Sequence, residues 1–300
     1  MTKSINVTKI RQLMTMISLI FLTLSITSIV ARGFNWGLDF TGGVVADIQT
    51  KPNVTQVQLK SHLDSALSQD VQVTAAGSEG NWQLRFNDTD LDLRDALNQA
   101  LLPIDSNFHI ANSSVIGPQV GLEMVEQGGL AILACFVLTL LYLSYRFEWR
   151  LALGSIAALI YDIVIVLGLF AVTQIEFNLT VLAALLAVMG YSLNDSIIIS
   201  DRIREVFRAK PDGETDALLD QSIVSTLSRT LVTSGTTLVT VSALWLLGGS
   251  ALEGFAIALC VGILSGTWSS ISIGTLLPTR VGLKPTHYKP EETESLESMP

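Results

Sequence analysis

The sequence predicts an α-helical polytopic membrane protein of six transmembrane helices, with one α+β domain of ferredoxin-like βαββαβ order between the first and second. Three observations predict it. Six apolar stretches are long enough to cross a bilayer, one long polar stretch separates the first from the other five, and among the short connections Lys and Arg fall only in alternate ones. Composition agrees, since 49% of residues are apolar and only 15% are charged, where a soluble domain carries about a quarter. The net charge of -9 argues against a nucleic-acid partner, which would favour a basic face.

The first stretch, 12–31, follows Lys3, Lys9 and Arg11. It is too long for a cleaved signal segment, and no clean small-residue cleavage site follows it, so it reads as a retained span. The outer region, 32–127, begins with a β-branched strand at 44–50. A helix follows at 54–67, with Val57, Leu59, Leu63 and Leu67 at helical spacing. Strands are predicted at 71–76 and 81–86, the second alternating through Trp82, Leu84 and Phe86. A helix at 91–102 repeats Leu93, Leu97 and Leu101 and stops at Pro103. A last strand covers 108–116. This is the split-βαβ order.

The remaining spans are predicted at 128–145, 151–172, 179–200, 225–247 and 254–277; the fifth of the six is the least apolar. Arg146 and Arg150, then Arg202, Arg204, Arg208 and Lys210, then Arg280, Lys284 and Lys289 all fall on one side of a six-span chain. The connections 173–178 and 248–253 carry no Lys or Arg. Both termini (1–11 and 278–300) and the loop 201–224 are therefore predicted to be cytoplasmic, and the α+β region to lie outside. The tail from Lys289 is polar and predicted to be disordered.

No P-loop, H-E-x-x-H or nucleophile–histidine–carboxylate set is present, and Cys135 and Cys260 sit in different apolar runs. His62, His109 and His287 lie away from any membrane charge. The chain reads as neither an enzyme nor a metal or cofactor binder. The informative residues are charges inside spans: Asp162, Asp195 and Arg229. A charge at membrane depth costs at least about 2.5–3.5 kcal/mol, so it needs a partner, a wet cavity or a proton. From the helical rise, Asp195 lies about 24 Å from Leu179 and Arg229 about 27 Å from Leu247, so the two share a depth and are predicted to pair. Asp162 lies about 16 Å in, near the midplane. Arg229, Thr233, Thr236 or Thr237, and Thr240 recur as one face, matched by Ser192, Asn194, Asp195 and Ser196 in the fourth span. Two readings stand: helix glue, or a hydroxyl-lined proton path. Gly262, Gly266, Ser270 and Gly274, four apart, read as a packing stripe.

Five motifs in order add a resemblance. They are Gly37-Leu38-Asp39-Phe40-Thr41-Gly42-Gly43; Gly117-Pro118-Gln119-Val120-Gly121; Tyr145-Arg146-Phe147-Glu148-Trp149-Arg150; Met189 to Ser196 with Asp201-Arg202-Ile203-Arg204-Glu205; and Ser228-Arg229-Thr230-Leu231 with Thr233, Ser234, Thr236 and Thr237. Together, over about residues 10 to 280, they resemble the SecD/SecF protein-export family, and the size of the outer region resembles its SecF branch. Ser200 departs from the pattern, where a bulky apolar residue is expected. The resemblance implies a bacterial inner-membrane subunit with a periplasmic domain. It implies partnership with SecD and the SecYEG translocon, with YajC and YidC as further candidates, and contact with preprotein segments. The implied activity is proton-driven assistance of preprotein export after the ATP-driven SecA step. Asp195 and Arg229 match the family's proton-coupling charges, and Asp162, Asn194, Thr233 and Thr237 join that set from the span reading. Asp39, Phe40 and the flanking glycines Gly37, Gly42 and Gly43 match its hinge, and Gly117, Pro118 and Gly121 its second outer motif. The alternatives are a proton-coupled small-molecule exporter of related fold and a membrane scaffold without ion coupling.

Overall fold

A computed structural model describes residues 7–67, 69, 71–76, 80–86, 93–105 and 107–288. Lys3, the start of the helix predicted from Leu91 and the tail from Lys289 lie outside the described residues.

The chain opens with helix α1 (Val7–Arg32) and a single turn, α2 (Leu38–Thr41). The outer domain follows as β1 (Gly43–Gln49), α3 (Gln56–Leu67), β2 (Gln72–Ala75), β3 (Asn81–Phe86), α4 (Leu93–Leu101) and β4 (His109–Ile116). Its four strands form an antiparallel sheet in the order β2-β3-β1-β4. The register pairs Val44 with Phe86, Ala46 with Leu84 and Ile48 with Trp82. These residues share one face and bury it against Leu59 and Leu63 of α3 and Leu97 and Leu101 of α4, as a period of two on strands and near four on helices requires. A bulge between Asp47 and Ile48 shifts β4 against β1. The Trp82 indole donates to Thr50 Oγ1 at 2.9 Å, which satisfies the one polar group of that ring.

Among the described residues, six helices are long and apolar enough to cross a membrane. After α1 they are α5 (Pro118–Arg146), α6 (Trp149–Thr173), α7 (Leu179–Ala209), α8 (Thr215–Leu247), and a last span made of α9 (Ser250–Ile271) and α10 (Ile273–Arg280). A short 3-10 turn, Pro285–Tyr288, ends the described chain. Several boundaries differ from expectation; α5, for one, begins at Pro118, ten residues before the predicted 128. α7 and α8 run well past the ends predicted at residues 200 and 225, because amphipathic sequence continues both helices. Ile203, Val206 and Phe207 of α7 bury against Leu218 and Leu219 of α8 there. The last span is broken at Ser272 (φ -85°, ψ -77°), and Pro278, which has no N–H to give a helix, lies inside its second piece.

α6, α7 and α9 are the inner helices, while α1, α5 and α8 line the outside of the bundle with exposed Leu, Ile and Val. Small residues bring the inner helices together. A Cβ on Gly262 would come within 2.2 Å of Val188, and one on Gly168 within 2.3 Å of Ser25. At the far end from the outer domain, Arg11 is 1% exposed and pairs with Asp216 (2.5 Å) and Asp220 (3.7 Å) of α8, joined by Thr8 donating to Asp220 at 2.6 Å.

Candidate functional site

α6, α7 and α9 meet around Asp162, which is fully buried. Three hydroxyls donate to it: Ser192 of α7, Ser265 (2.5 Å) and Ser269 (2.9 Å) of α9. Serines four apart on α9 stack on one helix face, so both reach the same carboxylate. Gly266 lies against the backbone and side chain of Ser192, which lets α7 and α9 approach closely enough for the cage to close. These donors take the place of the hydration that a carboxylate loses inside a membrane.

One turn beyond Ser192 on α7, Asp195 is 1% exposed and more sparsely held. Its Oδ2 accepts from Thr267 Oγ1 at 3.3 Å. Thr267 also bonds Ser234 of α8 at 2.7 Å, and the Tyr191 hydroxyl donates to Ser234 at 3.3 Å. Asp195 Oδ1, Ser196 Oγ and Thr230 Oγ1 are buried with no hydrogen-bond partner among the described residues. An underbonded carboxylate gains a donor when it takes up a proton.

The expected Asp195–Arg229 ion pair is not formed. Arg229 is exposed on the outer face of α8 and acts on Asp195 only through its field. The reason is a one-residue rotation. The inward face of α8 is Thr226, Thr230, Ser234 and Val241, whereas Arg229, Thr236 and Thr240 stand on the neighbouring outward face, with Thr233 and Thr237 part-buried between them. The hydroxyls of Thr233, Thr236, Thr237 and Thr240 bond back to carbonyls of their own helix, as threonines in a span can. Asn194 is likewise exposed, not turned toward Asp195. Ser234, Ser265, Thr267 and Ser269 were missed. The signal for the last three was the hydroxyl density of Ser265-Gly266-Thr267-Trp268-Ser269-Ser270, which the small-residue stripe masked. Ser200 is buried beside Ser155, at 3.4 Å.

The outer motif residues assemble a second cluster. Gly42 (φ +72°) and Gly43 (φ +145°) have backbone angles that L side chains rarely adopt. Gly121 of α5 backs onto Phe40, where a Cβ would come within 2.5 Å of the carbonyl oxygen. Gly117 precedes Pro118, the first residue of α5. The segment 32–37 is stitched to the turn 174–178. Gly37 N donates to Phe177 O and Phe177 N to Asn35 O, both at 2.8 Å, with Trp36 bridged to Phe177. Phe34, Trp36, Phe40, Phe170 and Phe177 pack edge to face or tilted around this joint. Asp39 Oδ2 accepts from the backbone N–H of Leu179, the first residue of α7, at 3.0 Å. Among the described residues no cluster of three or more His, Cys, Asp or Glu is placed to hold a metal.

The family profile described as "Protein export membrane protein SecD/SecF, C-terminal" matches residues 96–282, and that described as "SecD/SecF GG Motif" matches 27–54. The chain is 40% identical to the protein translocase subunit SecF of Haemophilus influenzae over 95% of its length and 89% of the relative's. It is 42% identical to that of Vibrio alginolyticus over 92% and 90% respectively. Among solved structures it resembles SecDF of Thermus thermophilus, a translocon-associated membrane protein, with a TM-score of 0.78 at 34% identity. That match covers 90% of this chain and 38% of the solved one.

Proposed function

The chain belongs to the SecD/SecF family of protein-export membrane proteins, and from that premise we propose that it couples the proton gradient to preprotein export as a SecF-type subunit. The observation that supports this reading most is the pair of buried carboxylates. Asp162 and Asp195 lie at membrane depth among hydroxyls, with no cation touching either among the described residues. An ionised carboxylate there is costly without a counter-charge. Taking up a proton removes that cost, and losing it restores it. Asp195, underbonded and joined through Thr267, Ser234 and Tyr191 to α8, is the site at which such a change is felt by two neighbouring helices.

The outward Arg229 and Asn194 support a partner. A guanidinium facing lipid at that depth is unfavourable, and a second polytopic subunit covering it with polar groups relieves the cost. SecD is the partner this reading names, with SecYEG as the channel served and YajC and YidC as further associates. Asp195 and Arg229 then act as one electrostatic unit across the seam between subunits, not as a contact pair. The outer domain is read as a ferredoxin-like unit in the periplasm and both termini as cytoplasmic, from its strand order and from the basic clusters. The protein is placed in the bacterial inner membrane and catalyses no covalent step.

The test is export into vesicles whose proton gradient can be collapsed. Asp195→Asn and Asp162→Asn should insert and assemble normally yet lose the gradient-dependent part of export. Asp195→Asn with gradient-dependent export intact would leave a scaffold. Unchanged export with lost efflux of a small solute would favour the exporter reading.

A further inference from the structure

One carboxylate of the bundle meets the outer domain directly. Glu176 lies in the turn between α6 and α7, two residues before Asn178, whose Oδ1 accepts from Val181 N at 3.1 Å and caps α7. From the domain side, Arg85 of β3 approaches Glu176 to 3.6 Å, and the Gln72 side chain of β2 lies against it. From the membrane side, Gly37 leaves room for it, since a Cβ there would sit 2.6 Å from Glu176 Oε1, and the Leu38 peptide faces the same carboxylate. Asp39, on the next residue, bonds the first N–H of α7 from α2. The first N–H groups of a helix have no partner within it, and an anion there is favoured by the helix dipole. The first turn of α7 therefore takes one of its acceptors from the segment that carries the outer domain. The sheet, α2 and the helix bearing Asp195 converge on residues 176–179.

We propose that Glu176 and Asp39 are positioning residues that latch the outer domain to the first turn of α7, so that docking and release of the domain shift the helix that carries Asp195. This rests on the proton-coupling reading of Asp195 given above. The latch is built to open. Arg85 and Glu176 are an ion pair without a hydrogen bond, and Glu176 Oε1 has no hydrogen-bond partner among the described residues. The charged groups facing Glu176 are Arg85 from β3, Asp39 from α2, Lys60 from α3 and Glu253 from α9. Lys60 and Glu253 line with it a cleft of about 310 Å³ between domain and bundle. Burial pushes the Glu176 carboxyl above its ordinary range, Arg85 pulls it back, and the Asp39 charge pushes it up again. The sign follows: burial in the docked state outweighs the pull of Arg85, so the carboxyl holds its proton more tightly docked than released, and acid on the outer side favours docking while higher outer pH favours release.

The full chain with its membrane partner in vesicles allows a direct test. Cys135→Ala and Cys260→Ala remove the native thiols. Spin labels on Ser65→Cys of the outer domain and Leu252→Cys of the bundle then report the gap by pulsed electron resonance. At mildly acidic outer pH one short distance is expected, and as the outer pH rises it should lengthen or broaden. Glu176→Gln, neutral throughout, should show the docked distribution at both pH values. Arg85→Glu should release the domain at neutral pH, and the exchange Arg85→Glu with Glu176→Arg should restore the docked distance. Asp39→Asn should change the rate at which a thiol in place of Asn194 is labelled, and Asp39→Glu should rescue it. A wild-type distance indifferent to pH, or a Glu176→Gln protein that still responds, overturns the latch. An Asp195→Asn protein that keeps gradient-driven export overturns the coupling reading instead, whatever the distances show.

Discussion

Thr267 shows how much one hydroxyl carries. It donates to Asp195 and links that carboxylate to Ser234 on α8. Thr267→Val keeps the shape and removes the donor, at a cost of about 1.5–3 kcal/mol for a hydrogen bond to a charged group. Gradient-dependent export should fall at least about tenfold by the same arithmetic, while the level of inserted protein stays near wild type; export in vesicles and quantitative blotting check the two halves. In the outer domain, Asp105 accepts from Asn107 N and Lys51 N, both at 2.9 Å, and pairs with Lys51 Nζ at 3.1 Å. The Asn107 N–H leads in holding its carboxyl below the ordinary 3.8. A lowered acid stabilises the fold above its ordinary value, and that stabilisation is lost as pH falls through the folded value. Thermal unfolding should therefore show a steeper loss of Tm below about pH 3.8 in wild type than in Asp105→Asn, which is less stable at neutral pH. At this scale the sequence was informative about which residues matter and weaker about what they touch. Asp162 and Asp195 stand out by charge in an apolar run. Their partners are ordinary Ser and Thr, and a helix rotation of one residue, about 100°, decided that Thr230 and Ser234 face inward while Arg229 faces out.

Elements were legible where periodicity is strong. Trp82, Leu84 and Phe86 define the inward face of β3, and Leu59 and Leu63 that of α3. The ends of α7 and α8 were not legible, because an amphipathic extension and a polar loop share a composition and differ only in what packs across them. Glycine stripes convert directly into helix contacts. Gly262→Leu would drive a side chain into Val188, at a cost of about 1–3 kcal/mol for overpacking. The expected result is a lower melting temperature in detergent and an α7–α9 seam open to thiol labelling in the span. Gly121→Ala would strike the Phe40 carbonyl in the outer joint, and should lower the yield of assembled protein more than Gly129→Ala, which meets nothing.

The molecule has two hydrophobic interiors. The outer domain's cluster, from Val44 to Leu101, is separate from those in the bundle. A soluble fragment covering residues 44–116 should therefore unfold cooperatively with mixed α/β circular dichroism, and a fragment that stays disordered at neutral pH would count against an independent domain. The bundle presents the polar outward face of Arg229, Asn194 and Thr236 beside the apolar faces of α1 and α5. Thiols placed along α8 at Arg229, Thr236 and Thr240 should be shielded from a lipid-phase reagent only when the partner subunit is co-expressed.

Arg11 sets the order in which such a chain can be made. It is sealed inside the protein by Asp216, 205 residues later in the chain. At a synthesis rate of about 5–20 residues per second, the first helix waits roughly 10–40 s in the membrane before its partner exists. Through that interval its guanidinium must stay in the headgroup layer, and the helix is held only by its own hydrophobicity and, once α6 exists, by contacts such as Ser25 against Gly168. Nascent chains stalled before residue 216 should therefore be cleared by membrane quality control faster than chains stalled just beyond residue 220, a difference that pulse-chase labelling of ribosome-arrested products would show.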